Sequence, residues 1–452
     1  MTLRPPVCAA ALLLLAALPL PASDSHWQSW RGPLGTGEAP GASPPVTWSE
    51  TENVRFKVPI PGRGHASPIV WGDRIYLLTA VETEEPAAPS EEEPSWRRNV
   101  RAGGPVRFVV LALDRATGSV VWERTAAELV PHEGTHPHAT WASASALTDG
   151  EHLFAHFGSR GLYAYTLDGE PLWSVDLGDM STRNGFGEGS SPVVSGDTLV
   201  VNWDHEGDSF VVALDKATGE ERWRRARDER TSWSTPIVVE VDGRRQVVVS
   251  ATGRVRGYDL ATGETIWETG GMTVNTIPAP VHRDGMVWVT SGFRGSALKA
   301  IRLPGARGVL DGGDAIAWSY DRDTPYVPSP VLYGELLYFL KSNSGILTAV
   351  RAETGEVVFG PERLPGIENV YASPVAADGR IYVAGREGTT VVLRHGPSLE
   401  VLATNELDDG FDASPAIVGD ELFLRGRTHL YAIAESAGGG QGSQEPAPAG
   451  GR

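Results

Sequence analysis

Three histidines that lie close together in one segment could bind a metal ion. His132, His136 and His138 fall within seven residues of each other, and imidazole nitrogens are common ligands of Zn²⁺ and Cu²⁺ in proteins. His65, from an earlier part of the chain, could supply a fourth ligand if the fold brings it near. The alternative is a loop of solvated histidines that holds no metal.

The rest of the sequence narrows the chemistry that the chain could perform. No Ser/His/Asp set, phosphate-binding glycine loop or pair of hydrolase carboxylates can be assigned from spacing alone. The 452 residues include 39 lysines and arginines against 57 aspartates and glutamates, a formal net charge of −18. Because the nucleic-acid backbone requires a basic surface, we predict no nucleic-acid partner. The segment 227–230, Arg-Asp-Glu-Arg, predicts surface ion pairs.

Residues 1–22 have the composition of a secretory signal peptide. Arg4 provides the positive end, and residues 7–18 form an apolar run too short to span a bilayer. Cleavage after Ala22 removes Cys8, the single cysteine, which excludes a disulfide, a cysteine zinc site and a cysteine nucleophile. We expect an exported protein, periplasmic or extracellular, that is not integral to the membrane after cleavage. The alternative is an uncleaved membrane anchor.

Two motifs recur along the chain, and the elements they encode must position any site. The first motif, Ala-Leu-Asp-x-x-Thr-Gly-x-x-x-Trp, is complete at residues 112–122 and 213–223 and recurs with changes at 257–267 and 349–359. The second motif is Ser-Pro or a close variant, followed by an apolar run interrupted by a Gly/Asp turn. Its eight copies begin at Ser67, Ser145, Ser191, Thr235, Ala279, Ser329, Ser373 and Ser414.

These repeats predict an all-β fold, an eight-bladed β-propeller of four-stranded blades over residues 48–434. Short alternating runs between tight turns favour strands, and a solenoid is the alternative architecture. The last repeat lacks an outer strand, whereas residues 53–58 form an orphan strand, so we expect this N-terminal strand to close the ring. Residues 23–47 are a lead-in, 81–106 an inserted loop in the first blade, and 435–452 a disordered tail.

The aromatic residue that ends the first motif predicts how the blades pack. A flat indole on an outer strand can fill the gap between neighbouring blades. We expect the small residue at the start of the motif to leave room for the neighbour's ring, and the Asp and Thr side chains to bind the turn amides. The docking residues predicted in this way are Trp122, Trp173, Trp223, Trp267, Trp318 and Phe359.

The residues just before each inner strand are candidates for a ligand site. In a propeller these positions surround one mouth of the central channel, where a concave pocket can form. Aromatic, acidic and amide side chains there could hold a flat or sugar-like ligand, and the alternative is a solvated pore without one. In blade order the predicted mouth residues are His65, Trp141, Glu188, Trp233, Asn275, Tyr326, Tyr371 and Asp412.

The repeats resemble the PQQ-like repeat family, which includes the quinoprotein alcohol dehydrogenases. The first motif, at 112–122 and 213–223, is similar to the tryptophan-docking motif of that family, and the likeness covers nearly all of residues 48–434. The resemblance implies an eight-bladed propeller. Relatives include PQQ-dependent dehydrogenases, the lipoprotein subunit of the outer-membrane β-barrel assembly machine, and compact exported proteins without an assigned activity. This chain looks most similar to the last group.

For the dehydrogenases, the resemblance implies PQQ above a tryptophan floor, with Ca²⁺ bound by a carboxylate and an amide. The residues of this chain that could match are Glu188, Asn202 and Asp204 for Ca²⁺, and Trp233 for the floor. The chain departs from the dehydrogenases because it has no adjacent cysteines, no Cys-x-x-Cys-His haem motif and few of their long insertions.

We therefore predict an exported, monomeric propeller that binds or scaffolds an unknown protein or glycan, without catalysis and without a cofactor. The alternatives are a quinoprotein dehydrogenase that uses PQQ and Ca²⁺, an outer-membrane protein assembly factor, and a glycan-binding module. The glycan-binding module would use exposed rings of Trp141, Trp233 and Tyr371.

Overall fold

The computed structural model describes residues 26–85 and 99–435. These residues form eight separate sheets, each built on four antiparallel strands. The predicted all-β, eight-bladed propeller is confirmed. The predicted signal peptide, the tail apart from Glu435, and residues 86–98 of the predicted insertion lie outside the described residues.

Each blade runs from an inner strand beside the central channel to an outer strand at the rim. From the inner to the outer strand, blade 1 contains Ile69–Trp71, Arg74–Glu82, Val106–Asp114 and Val120–Leu129, and blade 2 contains Leu147–Thr148, His152–His156, Leu162–Thr166 and Pro171–Val175. Blade 3 contains Val193–Ser195, Thr198–Trp203, Phe210–Asp215 and Glu221–Ala226, and blade 4 contains Ile237–Val241, Arg244–Ser250, Arg254–Asp259 and Thr265–Gly270. Blade 5 contains Val281–Arg283, Met286–Ser291, Ala297–Arg302 and Ile316–Tyr320, and blade 6 contains Val331–Tyr333, Leu336–Leu340, Ile346–Arg351 and Val357–Arg363. Blade 7 contains Val375–Ala377, Arg380–Ala384, Thr389–Arg394 and Val401–Glu406, and blade 8 contains Ala416–Val418, Glu421–Arg425, His429–Ile433 and Val54–Pro59.

The eighth blade combines strands from the two ends of the described chain. Its outer strand, Val54–Pro59, pairs antiparallel with His429–Ile433. Phe56 lies opposite Ala432, as Trp122 lies opposite Ala112 in the first blade. Two short strands extend other sheets: His26–Trp27 pairs with Ile69–Trp71, and Gly308–Val309 lies parallel to Thr265–Gly270. Short 3-10 turns occur at Gly158–Arg160 and Arg183–Gly185.

The serine of the second motif joins each blade to the next. At seven of the eight blade junctions, the backbone N–H at the motif start donates to the hydroxyl at the same position of the following blade, over 2.8–3.0 Å. We call these seven side chains the hydroxyl ring: Ser67, Ser145, Ser191, Thr235, Ser329, Ser373 and Ser414. The remaining junction, between blades 4 and 5, lacks this bond. The motif of blade 5 begins with Ala279, which has no hydroxyl to accept the N–H of Thr235.

The hydroxyl ring gives a testable stability prediction. Ser145→Ala leaves the buried N–H of Ser67 without its acceptor, so we expect the free energy of unfolding to fall by about 1–3 kcal/mol. Ala279→Ser supplies the missing acceptor for the N–H of Thr235, and it should raise the free energy of unfolding by about 1 kcal/mol. Guanidinium unfolding midpoints measure both, with exposed Ser398→Ala as a control expected to change little. Equal midpoints for all three variants would contradict the role of the ring.

The tryptophans of the first motif dock on the next blade through a glycine. Trp122 lies against Gly169 and Trp223 against Gly263, where an added Cβ would come within 2.7 and 2.5 Å of the indoles. The indole Nε1 of Trp223 also donates to the Leu260 carbonyl at 2.8 Å. Trp173 on Gly219 and Trp318 on Gly355 repeat this arrangement. The glycine therefore has two functions, because it also adopts the positive φ of the turn.

The predicted reason for the small residue at the motif start was wrong. That residue leaves room for the ring of its own blade, since Ala112 lies opposite Trp122 and Ala213 opposite Trp223 in the same sheet. A Cβ on Gly257 would collide with Trp267, its own cross-strand partner. The expected turn contacts are present: Asp114 accepts the backbone N–H groups of residues 116 and 117 at 3.1 and 2.9 Å.

Two of the predicted docking residues have different surroundings. Trp267 is fully buried, and its Nε1 donates to Gln246 of its own blade at 2.9 Å. Blade 5 carries an extra segment between its third and fourth strands, and the short strand Gly308–Val309 of this segment pairs with the strand of Trp267. Phe359 is buried among apolar side chains of blades 6 and 7.

Candidate functional site

The N-terminal segment crosses one face of the propeller, from blade 2 to blade 7. We call residues 26–43 the N-terminal plug. The Gln28 carbonyl accepts the N–H of Thr148 in blade 2 at 2.9 Å. At the other end of the plug, the N–H of Ala39 donates to Ala376 in blade 7 at 2.8 Å. Between these contacts, the indole Nε1 of Trp30 donates to Ser414 of the hydroxyl ring at 3.1 Å.

Arg31 fixes the plug against blades 6 and 7. Its Nη2 donates to the carbonyls of Pro330 and Pro374 at 3.0 Å. The side chain is buried, and burial lowers the pKa of Arg31 to about 9. The repeat pattern predicts no role for the lead-in at 23–47, although its two tryptophans, Trp27 and Trp30, are unusual for an unstructured linker.

A cavity of about 370 Å³ lies on the channel axis above Trp30, and we call it the ligand chamber. Residues from all eight blades line it. Six of the eight predicted mouth residues belong to this lining: His65, Glu188, Trp233, Tyr326, Tyr371 and Asp412. Three aromatic residues of the lining were not predicted from the repeats, because they come from the plug and from loops between strands: Trp30, Phe186 and Phe293.

The other two predicted mouth residues lie beside the chamber. Trp141 is 9% exposed, donates from its Nε1 to the Glu133 carbonyl at 3.1 Å, and borders a smaller cavity. Asn275 is buried and contacts the hydroxyl of Tyr326 at 3.4 Å. Trp233 and Tyr371 keep part of their surfaces accessible, so two of the three rings nominated for glycan stacking face a cavity.

Aromatic rings form much of the chamber wall. The rings of Phe293 and Tyr326 stack with centroids 4.7 Å apart, and the indole of Trp233 is oriented by a bond to the Gly187 carbonyl at 2.7 Å. His136 packs edge-on against Phe186 with centroids 5.0 Å apart. Such rigid walls suit a flat ligand face.

Hydroxyl groups of the hydroxyl ring complement these aromatic walls. Ser67, Ser145, Ser191 and Ser414 line the chamber. Each of their oxygens accepts a backbone N–H from the preceding blade. Within the described residues, the hydroxyl protons of these four serines have no acceptor, so they remain available to donate to a ligand.

Asp412 organises the charged side of the chamber. It accepts a hydrogen bond from Arg427 Nε at 2.8 Å and another from Arg386 Nε, and His65 Nε2 lies 3.6 Å away. Burial acts to raise the pKa of Asp412, but His65 and the two guanidinium groups hold it below its ordinary value. Burial, with nearby arginines, lowers the pKa of His65 to about 4 despite Asp412, so His65 is neutral at pH 7.

Glu188 is held by the neighbouring blade. One carboxylate oxygen accepts the Ser159 N–H at 2.7 Å, and the other accepts the Ser159 hydroxyl and Arg160 Nη1 at 2.7 and 2.6 Å. The Arg160 side chain is 4% exposed. The charge of Glu188 is therefore balanced by a buried cation.

Asp204 forms a fully buried ion pair with Arg227. The two hydrogen bonds from Arg227 Nε and Nη2 are 2.7 and 3.1 Å long, and neither side chain has exposed surface. Ser232 donates a third bond to Asp204 at 2.6 Å. Burial acts to lower the pKa of Arg227, but Asp204 and Tyr258 raise it overall. The predicted surface ion pairs at 227–230 are therefore wrong for Arg227, because it turns inward between blades 3 and 4.

These contacts allow a test of the nominated Ca²⁺ ligands. Glu188, Asn202 and Asp204 line one small cavity of about 20 Å³, next to Trp233. Both carboxylates, however, are already neutralised by buried guanidinium groups, and Asn202 contacts Ser232. Since Ca²⁺ takes six to eight oxygen ligands and favours uncompensated carboxylates, this arrangement does not fit a Ca²⁺ ion with PQQ.

The three histidines nominated for a metal do not converge in the structure. His132 Nε2 lies 2.7 Å from the Met180 carbonyl. His136 and His138 lie near each other, with ring centroids 5.3 Å apart, at the edge of the chamber. His138 Nδ1 is 3.3 Å from the Tyr371 hydroxyl. Burial lowers the pKa of His136 and His138. Within the described ranges, no cluster of three metal ligands contains these histidines.

Comparison with known proteins places this propeller among its relatives. A model of the PQQ-like repeat family described as outer membrane protein assembly factor BamB matches residues 45–202, 106–273 and 207–440. The chain belongs to this family. No curated protein matches it. In the ranges that the structure describes, no helix has the length and apolar character needed to cross a bilayer.

Two solved structures show the range of proteins that share this fold. BamB from Moraxella catarrhalis is 15% identical, with 78% of this chain and 98% of that chain covered at a TM-score of 0.52. The quinohemoprotein alcohol dehydrogenase ADHIIG from Pseudomonas putida HK5 is 11% identical, with 95% and 82% covered at a TM-score of 0.55. At these identities the likeness shows the propeller fold alone.

Proposed function

We propose that this family member is a non-catalytic binding protein whose ligand chamber takes one ring-shaped, polyhydroxylated molecule, such as a sugar unit. The observation that carries the proposal is the combination of aromatic walls and hydroxyl donors around one cavity that Trp30 also lines. Aromatic rings bind the apolar face of a sugar, and hydroxyl donors match its oxygens. The predicted signal peptide favours a periplasmic or extracellular location.

The state of the carboxylates supports binding rather than catalysis. A general base must be able to take a proton from its substrate. Glu188 and Asp412 are the carboxylates of the chamber lining, and each is bound to arginine. The arginines and His65 hold the pKa of Asp412 below its ordinary value, so that carboxylate is poorly suited to accept a proton. Both oxygens of Glu188 are already occupied by hydrogen bonds from Ser159 and Arg160.

Titration of the purified protein with neutral hexoses and their uronic acids, followed by tryptophan fluorescence, tests the proposal. We expect a saturable change with at least one of these sugars, because Trp30 and Trp233 face the chamber. Tyr371→Leu should weaken binding about tenfold by removing a stacking surface. The matched control Tyr320→Leu changes a tyrosine outside the chamber and should leave affinity unchanged. No change with any sugar at millimolar concentration would overturn the proposal.

The same assay with PQQ, with and without Ca²⁺, distinguishes the quinoprotein alternative. Because the candidate Ca²⁺ ligands are neutralised by arginine, we expect no Ca²⁺-dependent quenching at micromolar PQQ. Saturable, Ca²⁺-dependent quenching would instead support an oxidoreductase.

A role in outer-membrane protein assembly is the second candidate function, and the match to the BamB model favours it. That role would use exposed loops rather than the chamber. It predicts that Tyr371→Leu leaves partner binding intact while it impairs sugar binding.

A further inference from the structure

We infer that the ligand of the chamber carries a carboxylate, so that its class is a sugar acid rather than a neutral sugar. The carboxylate would bind to Arg386 and Arg427, with Arg63 nearby. We call these three arginines the cationic rim. The inference rests on the proposed function and names the chemistry of its ligand.

The cationic rim lies where a second cavity joins the ligand chamber. This cavity has a volume of about 520 Å³, and the three rim arginines line it. It shares His65, His138 and Asp412 with the ligand chamber. A ligand whose ring occupies the chamber can therefore extend a substituent into the second cavity, beside the guanidinium groups.

The guanidinium groups are oriented by the protein but retain unused donors. Arg427 and Arg386 each direct Nε–H at a different oxygen of Asp412. Arg386 also lies over the Tyr371 ring, 4.1 Å from its centroid, so one side chain links the aromatic wall to the rim. Within the described residues, the terminal nitrogens of Arg427 and Nη2 of Arg386 have no hydrogen-bond acceptor. Planar guanidinium donors of this kind match the two oxygens of a carboxylate.

The unused guanidinium donors favour an anion although the whole chain is acidic. Three arginines share the second cavity with two carboxylates, Asp412 and Glu387. Arg63 lies 3.9 Å from Glu82, and its side chain is 44% exposed. The formal net charge of −18 repels anions at long range. Guanidinium groups with unused donors beside the cavity are the arrangement needed to retain one, whereas a neutral sugar does not require them.

A sugar acid accounts for both cavities. A small inorganic anion would use the rim but leave the aromatic chamber and its hydroxyl donors without a role. A neutral sugar would use the chamber but not the rim. A sugar ring that bears a carboxylate contacts both with one molecule.

Paired titrations with glucose and glucuronate, and with galactose and galacturonate, test this inference. We expect at least one uronate to bind about tenfold more tightly than its neutral partner, which corresponds to about 1.4 kcal/mol. Arg427→Gln, at a side chain that is 46% exposed, should remove this preference, so that the uronate and its neutral partner bind with similar affinities. Arg351→Gln removes a half-exposed arginine on an outer ion pair and serves as the control, with the preference retained. Raised salt should weaken uronate binding selectively.

The possible outcomes separate this inference from the proposed function. Equal affinities for the neutral and acidic partners overturn the inference and leave the sugar-binding proposal standing. A preference that persists in Arg427→Gln and in the double variant with Arg386→Gln also overturns it. If neither sugar of either pair binds, the proposed function itself fails. Phosphate added alone serves as a competitor, and binding of phosphate with no response to uronates would show that the rim takes a free anion.

Discussion

Asp204→Asn is expected to lower the free energy of unfolding by about 3–5 kcal/mol, because it breaks a buried ion pair. The substitution keeps the shape of the side chain and removes its charge. Arg227 is then left as an uncompensated cation, with no exposed side-chain surface, between blades 3 and 4. Denaturant unfolding followed by tryptophan fluorescence measures the loss directly.

A matched ion pair in the same blade provides the control. Glu221 and Arg224 lie 2.8 Å apart with side chains 44% and 38% exposed, and exposed pairs contribute little. Glu221→Gln should therefore change the free energy of unfolding by less than about 0.5 kcal/mol. Replacing both buried partners, as Asp204→Leu with Arg227→Met, should recover much of the lost stability. If Asp204→Asn costs no more than Glu221→Gln, the buried pair has no special role.

Trp223→Ala should have an effect of similar size, about 3–5 kcal/mol, because it deletes a buried aromatic ring at a blade interface. The indole is 8% exposed, rests on Gly263 of the next blade, and donates to the Leu260 carbonyl. Trp223→Phe keeps part of the ring contact and loses the hydrogen bond, so a smaller loss is expected. An unchanged denaturation midpoint for Trp223→Ala would show that the docking role is wrong.

A double-mutant cycle tests the contact itself. Gly263→Ala alone places a Cβ about 2.5 Å from the indole, at a backbone position with φ near +70°. Both the collision and the strained backbone destabilise it. In the Trp223→Ala background the collision is gone and only the backbone cost remains. We therefore expect Gly263→Ala to cost less in that background, and additive losses would argue against direct docking.

Much of the architecture could be predicted from the sequence because the repeats report local geometry. The spacing of the Ser-Pro motif identified every inner strand, and Ser67 through Ser414 mark the eight blades that the structure contains. The aromatic position of the other motif identified outer strands such as that of Trp223. Its packing partner was harder to predict, because the sequence does not show that Gly263 belongs to the surface beneath the ring.

The candidate site could be predicted only in part, because many of its contacts join residues that the repeat spacing does not relate to each other. Six mouth residues converge because each occupies the same position in its own blade. Trp30 comes from outside the repeats, so nothing in the repeat pattern indicated that it lines the chamber. The partners of Glu188 and Asp204 also come from other strands, and without Arg160 and Arg227 in view, both acids looked available for a cation.

The pairing of Val54–Pro59 with His429–Ile433 in the eighth blade has a consequence for how the protein is made. The partners in this pair are separated by at least 370 residues along the chain, so the pair raises the contact order and we expect it to form late in folding. Until the distant strand arrives, residues 54–59 present an unpaired edge that other chains could join. Arg55 and Lys57 alternate along this edge, and charges at such positions discourage aggregation. These two charges thus protect the newly synthesised chain from aggregation while the sheet of its eighth blade is incomplete.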